Sequence, residues 1–390
     1  MINVKLFDMY LPTRIVSGEK CVISQSGYFS NLGKRCMILT SGNSAELCGA
    51  LTDIKKAFKK ENIEYILFDE LVENPTLLTS YKAGEIARNY KADYLLAVGG
   101  GSVIDGTKAA AVFASMNFEK PEEIYSKTIT KCLNIAVIST TAGTGSEIGN
   151  VIVLTEDSNG IKRVVVSNEM FPKVAFYDYR YTMTMPIRLT VATGLDALCH
   201  CVESWFSTNA TELSNLLAMR GTELTYSCLK KIADGEFNPN DEELRRNQHY
   251  GSLYGGMAIA LSGTGFPHPA GYILTENASI PHGVACAFFE TVFLEHSIKY
   301  VNNYEKQKFL EIVESLEDFK TTMKILLKNN ITMSLKACED MENRVSDANN
   351  TKRTLGGYIP NTVKKEAKKM FLKENQKEKV LGNWTFGDGE

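Results

Sequence analysis

Strand and helix alternate through the first half of the chain, and that alternation constrains the fold more than any other feature. Arg35–Thr40, Glu64–Phe68, Asp93–Val98 and Asn134–Ser139 are short, largely apolar runs with Gly, Ser, Thr or Asp at or just past each end. They read as buried strands. Between them lie helical stretches such as Leu51–Lys60 and Thr79–Tyr90. The pattern predicts a parallel sheet covered on both faces, a type that binds ligands beyond the carboxyl ends of its strands. After about Pro186 only helical patterns remain: Asp196–Ser207, Thr211–Ala233, Glu242–Leu261, Lys306–Lys328, Ser334–Ser346 and Val363–Glu374. A chain of 390 residues is too long for one ordinary core. The expectation is an α/β domain over residues 1–185 and an all-helical domain over residues 186–390, with a site in the cleft between them.

Composition excludes several classes of function. A hydrophobic content of 44% beside 23% charged residues is that of a soluble globular protein. The net charge of −3 gives no reason to expect nucleic acid or an anionic membrane as partner. No apolar run approaches the ~20 residues of a membrane span. The opening MINVKLFDMYLPTRIV lacks a basic stretch followed by an apolar one, so no secretion signal is expected. Nine cysteines, an odd number without framework spacing or any CxxC, suggest reduced thiols and a cytoplasmic location.

Two loops carry the signal for a nucleotide. The run Asp93–Val98 passes directly into Gly99-Gly100-Gly101-Ser102 and then into a helix from about Val103 to Ala114. Glycines let the backbone approach an anion, and the helix start offers N–H groups and partial positive charge. The spacing is not GxGxxG, and a tight packing turn is the plainer alternative. The second loop, Thr140 to Glu147, reads TTAGTGSE; its hydroxyls suit a ribose, a phosphate or a carboxamide, although a polar turn would look the same. Two such loops at strand ends of one parallel sheet favour the nucleotide.

A metal set can be drawn from the histidines. Asp196 and His200 are four apart in a helical stretch and therefore point the same way. His268 and His282 each sit beside proline, at a helix end or turn. One carboxylate and three imidazoles suit Fe²⁺, Zn²⁺, Co²⁺ or Ni²⁺ better than Mg²⁺ or Ca²⁺. Taken singly, each histidine is as readily structural, and His249 and His296 are read that way. Cys199 and Cys201 flank His200 but lie about 100° of helical rotation to either side, so they are read as small buried residues.

With these residues in order, the sequence resembles the iron-containing (group III) alcohol dehydrogenase family over nearly the whole chain. The resemblance runs through Leu11-Pro12-Thr13, Glu73-Asn74-Pro75-Thr76, Gly99–Ser102 with Asp105 and Lys108, Thr140–Glu147, Gly194–Ala197 with His200 and Glu203, His268, and Pro281-His282-Gly283. It implies a Rossmann-like, dinucleotide-binding N-terminal domain and a helical metal-binding and substrate domain, the architecture of dehydroquinate synthase and the iron-containing alcohol dehydrogenases. It also implies a homodimer, to which the strand-like N-terminal segment adds, and hydride transfer between a small alcohol or aldehyde and NAD or NADP. By position, Asp196, His200, His268 and His282 match the family's four ligands, for Fe²⁺ or alternatively Zn²⁺. Gly100, Gly101, Ser102, Asp105, Thr140, Thr141 and Thr144 match cofactor contacts, and Lys162 matches a lysine near the cofactor.

The chain departs from the family at two places. Where many members carry a further histidine four residues past the third ligand, this chain has Tyr272, which becomes the candidate for the proton path. Where NAD-preferring members often carry aspartate after an early strand, this chain has Thr40-Ser41-Gly42-Asn43. Ser41 brings no charge against a 2′-phosphate, so NADP(H) is expected over NAD(H). The rival readings are a polyol dehydrogenase of glycerol or propanediol type, a metal- and NAD-dependent lyase of the same fold, and a nucleotide-binding protein without catalysis.

Overall fold

The computed structural model describes residues 7–278, 280–347, 352–357 and 360–387. Two compact units partition the chain, one over Tyr10–Met185 and one from Pro186 onward together with residues 7–9. Residues 1–6 of the expected N-terminal strand-like segment lie outside the described residues.

The first unit is built on a parallel sheet. Its strands are β1 (Arg14–Ser17), β2 (Arg35–Leu39), β3 (Glu64–Phe68), β4 (Tyr94–Gly99), β5 (Asn134–Ser139) and β8 (Val174–Tyr177), in the spatial order β3-β2-β4-β5-β8-β1. Every pairing is parallel. Strand side chains alternate between faces. Cys36, Ile38, Tyr94, Leu96, Val98, Ala136, Ile138 and Phe176 pack on one side with Phe29, Ile54 and Phe58. Met37, Leu39, Leu95, Ala97, Ile135 and Val137, which point the other way, are equally buried. Both faces are therefore covered, which is why these strands read as continuous apolar runs. Setting β1 aside, the order is that of a doubly wound sheet whose winding reverses between β2 and β4, the place where such sheets bind ligands.

The sequence reading missed β1, β8 and an antiparallel hairpin of β6 (Val151–Thr155) with β7 (Lys162–Val166). β1, β6 and β7 have exposed positions and β8 is only four residues long, so they carry little pattern of their own. The helix after the glycines begins at Gly101, two residues before the expected start, because Gly100 itself stands at its N-cap.

The second unit is helical apart from a short ribbon of β9 (Thr332–Met333) and β10 (Val380–Leu381). The Ile187–Trp205 helix runs through its centre, buried along nearly its whole length, and packs against Glu212–Ala233, Glu242–Ser262 and His282–Ser297. Small residues let these helices close up. A Cβ on Gly221 would stand 2.5 Å from Cys201 Sγ, and one on Gly255 3.0 Å from it. Cys201 thus fills the seam left by two glycines, in keeping with its reading as a small buried residue. The expected single helix Lys306–Lys328 is instead two, Asn303–Val313 and Leu316–Leu326. Glu314 adopts φ +66°, and the Ser315 hydroxyl accepts the Asp318 N–H at 3.1 Å, so a new N-cap starts a second helix there.

These contacts give a test of packing in the second unit. Gly221→Ala should cost about 1–3 kcal/mol through overpacking, read as a lower urea midpoint. Gly27→Ala, whose added carbon meets nothing within 4 Å, should leave the midpoint in place. Equal midpoints for both variants would contradict the packing described.

Candidate metal centre

Four histidine and aspartate side chains converge inside the helical unit. Asp196 and His200 sit one turn apart on the Ile187–Trp205 helix, and both are buried. His200 Nε2 lies 3.7 Å from Asp196 Oδ1. His268, in the first turn of the Pro267–Ala278 helix, brings its Nε2 to 3.8 Å from the same oxygen. The rings of His200 and His268 stack at 4.9 Å, and His268 meets His282 edge-on at 5.3 Å. His282 opens the His282–Ser297 helix. Asp196, His268, His282 and Cys286 offer donor atoms that all lie within 4.8 Å of one another. His200 joins this set through Asp196 and His268.

Two glycines permit the convergence. A Cβ on Gly283 would stand 2.3 Å from the Ala192 carbonyl oxygen and 2.5 Å from Asp196 Cβ. The turn carrying His282 therefore lies directly against the turn carrying Asp196. A Cβ on Gly271 would stand 2.8 Å from Ala285 C and from Cys286 N. That approach draws the helix of His268 onto the helix of His282.

A second carboxylate orients the pair. His268 Nδ1 lies 2.6 Å from Glu203 Oε1, and Glu203 Oε2 accepts the Gly265 N–H at 2.7 Å. An ionised carboxylate only accepts, so Nδ1 carries the proton and the Nε2 lone pair faces Asp196. His268 Nε2 is buried and has no hydrogen-bond partner. Burial opposes a charged His268 ring, but the Glu203 charge, its hydrogen bond and Asp196 raise the pKa on balance. Separations of 3.7 and 3.8 Å are too long for hydrogen bonds. They match the roughly 3–4 Å between donors sharing one ion, each about 2.0–2.2 Å from it. The buried, oriented donor set therefore fits a divalent transition metal.

Tyr272 stacks on the His282 ring at 5.2 Å and 15°, and the Arg344 guanidinium lies over Tyr272 at 5.5 Å. Beside Glu203 are Cys199 and Glu290, with donor atoms within 4.8 Å of one another. Burial and the Glu203 charge hold the Glu290 carboxyl well above its usual range. Of the remaining histidines, His249 is buried in the Glu242–Ser262 helix, and His296 Nε2 lies 2.6 Å from the Gly357 carbonyl. Cys286 and Glu290 escaped the sequence reading, although His282-x₃-Cys286 repeats the spacing of Asp196-x₃-His200.

In the α/β unit the two expected loops meet. A Cβ on Gly100 would stand 2.7 Å from Thr141 Oγ1, and one on Gly101 2.7 Å from Thr144 Cγ2. The Thr140 N–H donates to the Gly99 carbonyl at 3.1 Å. Ser146 donates a short hydrogen bond to Asp105, whose other oxygen accepts the Val153 N–H at 2.9 Å. Lys108, fully buried, donates to Ser146 O at 2.7 Å and to Val151 O at 3.0 Å. Burial pushes its ammonium pKa down, against the pull of Asp105 and Glu147. Ser102 Oγ accepts the Asn74 N–H at 3.2 Å, and Lys162 Nζ donates to Asn74 Oδ1 at 2.7 Å. Ser41 follows β2, next to β4 in the sheet, and bridges to Glu70, which Lys82 pairs at 2.6 Å.

Comparison with known proteins agrees with this arrangement. Residues 12–179 match the model of iron-containing alcohol dehydrogenases, and residues 190–356 match that of the family's C-terminal domain. A 1,3-propanediol dehydrogenase of Klebsiella pneumoniae is 30% identical over 83% of this chain and 83% of its own. An NADPH-dependent butanol dehydrogenase of Clostridium saccharobutylicum is 29% identical over 73% of this chain and 72% of its own. The crystal structure of an iron-containing alcohol dehydrogenase from Thermotoga maritima superposes with a TM-score of 0.84 at 32% identity, covering 93% of this chain and 99% of that one. These matches define a nicotinamide-dependent oxidoreductase acting on alcohols. The chain belongs to the iron-containing alcohol dehydrogenase family.

The Glu203–His268 contact can be tested directly. Glu203→Ala should weaken metal binding about 10–100-fold, measured by competition with a chelator. Unchanged affinity would show that Glu203 does not orient the ligand.

Proposed function

We propose that Asp196, His200, His268 and His282 hold one Fe²⁺, or alternatively Zn²⁺, and that the chain interconverts a small alcohol and its aldehyde with NADP(H) in preference to NAD(H). The observation that carries the reading is the buried His268 Nε2, oriented by Glu203 and facing Asp196 at 3.8 Å. A divalent metal in this set would act as a Lewis acid toward the substrate oxygen. Asp196 supplies the one formal charge among the four donors; neutral imidazoles leave the centre electrophilic. The nicotinamide supplies the hydride chemistry, and the protein supplies binding and orientation.

Gly100, Gly101 and Ser102 present the start of a helix to the cofactor phosphates. Thr140, Thr141 and Thr144 add hydroxyls beside them. Asp105 spends both oxygens on Ser146 and Val153, so it acts by holding the loop in shape. Lys162 reaches the same region through Asn74. Tyr272 orients His282 by stacking, and its hydroxyl is a candidate to carry a proton there.

The cofactor preference rests on the absence of acid at Ser41 and on Lys82, which neutralises Glu70 beside it. The NADPH-dependent butanol enzyme supports that choice, and the propanediol enzyme supports a diol as an alternative substrate. A homodimer along the open edge of β1, where Ile15 is exposed, completes the proposal. Among the described residues no helix is long and apolar enough to cross a membrane. None of the nine cysteines is joined in a disulfide, which suits a cytoplasmic setting.

Two measurements test the reading. His268→Ala should lose both bound metal and turnover when the enzyme is assayed with butanol, propanediol and short aldehydes; full metal content with full turnover would refute the assignment. Ser41→Asp should raise the KM for NADPH about tenfold or more, a cost of about 1.4 kcal/mol, and leave the KM for NADH nearly unchanged. Equal effects on both cofactors would place the 2′-phosphate elsewhere.

A further inference from the structure

Cys286 occupies a position that the four-ligand assignment does not use. It lies one helical turn after His282, the same spacing that pairs Asp196 with His200. Its Sγ is 3.7 Å from His282 Nδ1 and 3.8 Å from Nε2. It also lies within 4.8 Å of the donor atoms of Asp196 and His268. The residue is fully buried, and its backbone is held in place by the close approach of Gly271. A second observation marks the same space as a ligand site: the buried His268 Nε2, without a hydrogen-bond partner, is a member of this donor cluster.

We propose that Cys286 is a fifth donor of the metal centre, its thiolate sulfur binding the ion held by Asp196, His268 and His282. The proposal rests on the metal-centre reading and adds to it a soft ligand. Coordination breaks the S–H bond heterolytically. The sulfur electron pair forms the bond to the ion, the proton passes to bulk buffer, and no electron is transferred. A thiolate raises the affinity of a nitrogen and oxygen site for Zn²⁺ and Co²⁺ more than for harder ions. Of the other buried cysteines of the region, Cys201 lies against Gly221 and Gly255, and Cys199 groups with Glu203 and Glu290; neither is in the donor cluster of Asp196, His268 and His282.

Cobalt-loaded protein provides the test. Co²⁺ added to the metal-free full chain should give visible d–d bands together with a near-ultraviolet sulfur-to-cobalt charge-transfer band. Cys286→Ser should keep the d–d bands, lose the charge-transfer band, and weaken Zn²⁺ binding by about tenfold or more in chelator competition. Wild-type protein showing d–d bands without the charge-transfer band overturns the proposal and leaves the metal centre standing. A charge-transfer band that persists in Cys286→Ser also overturns it. No bound Co²⁺ in the wild-type protein overturns the proposal and the metal-centre reading together. Absence of the band from the wild-type spectrum overturns the proposal whether or not the variant folds.

Discussion

The backbone contact of Gly283 with the Ala192–Asp196 turn is the constraint on which the centre depends. With no side chain at residue 283, the first turn of one helix lies against the middle of another, and His282 reaches the neighbourhood of Asp196. Any larger residue would have to push into backbone, which cannot yield as a flexible side chain does. Gly271 performs the same service between the helices of His268 and His282. Two missing side chains thus set the distances among donors that are far apart in sequence.

Polar groups gathered in such a place are costly. Asp196, His200, Glu203, His268 and Glu290 are all buried in a unit otherwise packed with apolar side chains. An unpaired buried charge would destabilise the fold by several kcal/mol. Part of that cost is offset within the protein, through the hydrogen bonds of Glu203 to His268 and Gly265. Burial and the Glu203 charge raise the pKa of Glu290 and so favour its neutral form. A divalent ion held between Asp196 and the imidazoles, as proposed, would offset the remainder and couple the metal to the stability of the helical unit. The α/β unit solves a different problem. There Lys108 and Asp105 are spent on the Ser146–Val153 backbone, holding the threonine loop against the glycines.

Much of this was legible in the residues because the strongest signals are local. The strands β2, β4 and β5 showed themselves as apolar runs because both their faces are buried. Asp196 and His200 paired by helical spacing alone. The prolines beside His268 and His282 marked a helix end or turn, but their meeting with Asp196 is tertiary, and it depends on glycines whose neighbours no local pattern reveals. Cys286 had the right spacing from His282 and was passed over because the search followed histidines. The break at Glu314 was missed because the apolar period continues across it, although Ser315 and Asp318 carried the mark of a helix start. Asp105 matched a cofactor position in the resemblance, whereas its hydrogen bonds are to the loop.

X-ray absorption at the metal edge of protein loaded with a single equivalent of zinc tests the central claim most directly. The account predicts nitrogen and oxygen donors at about 2.0–2.2 Å, with the outer-shell scattering of several imidazole rings, and one sulfur at about 2.3 Å where Cys286 binds. A first shell of oxygen alone, without imidazole scattering, would contradict it.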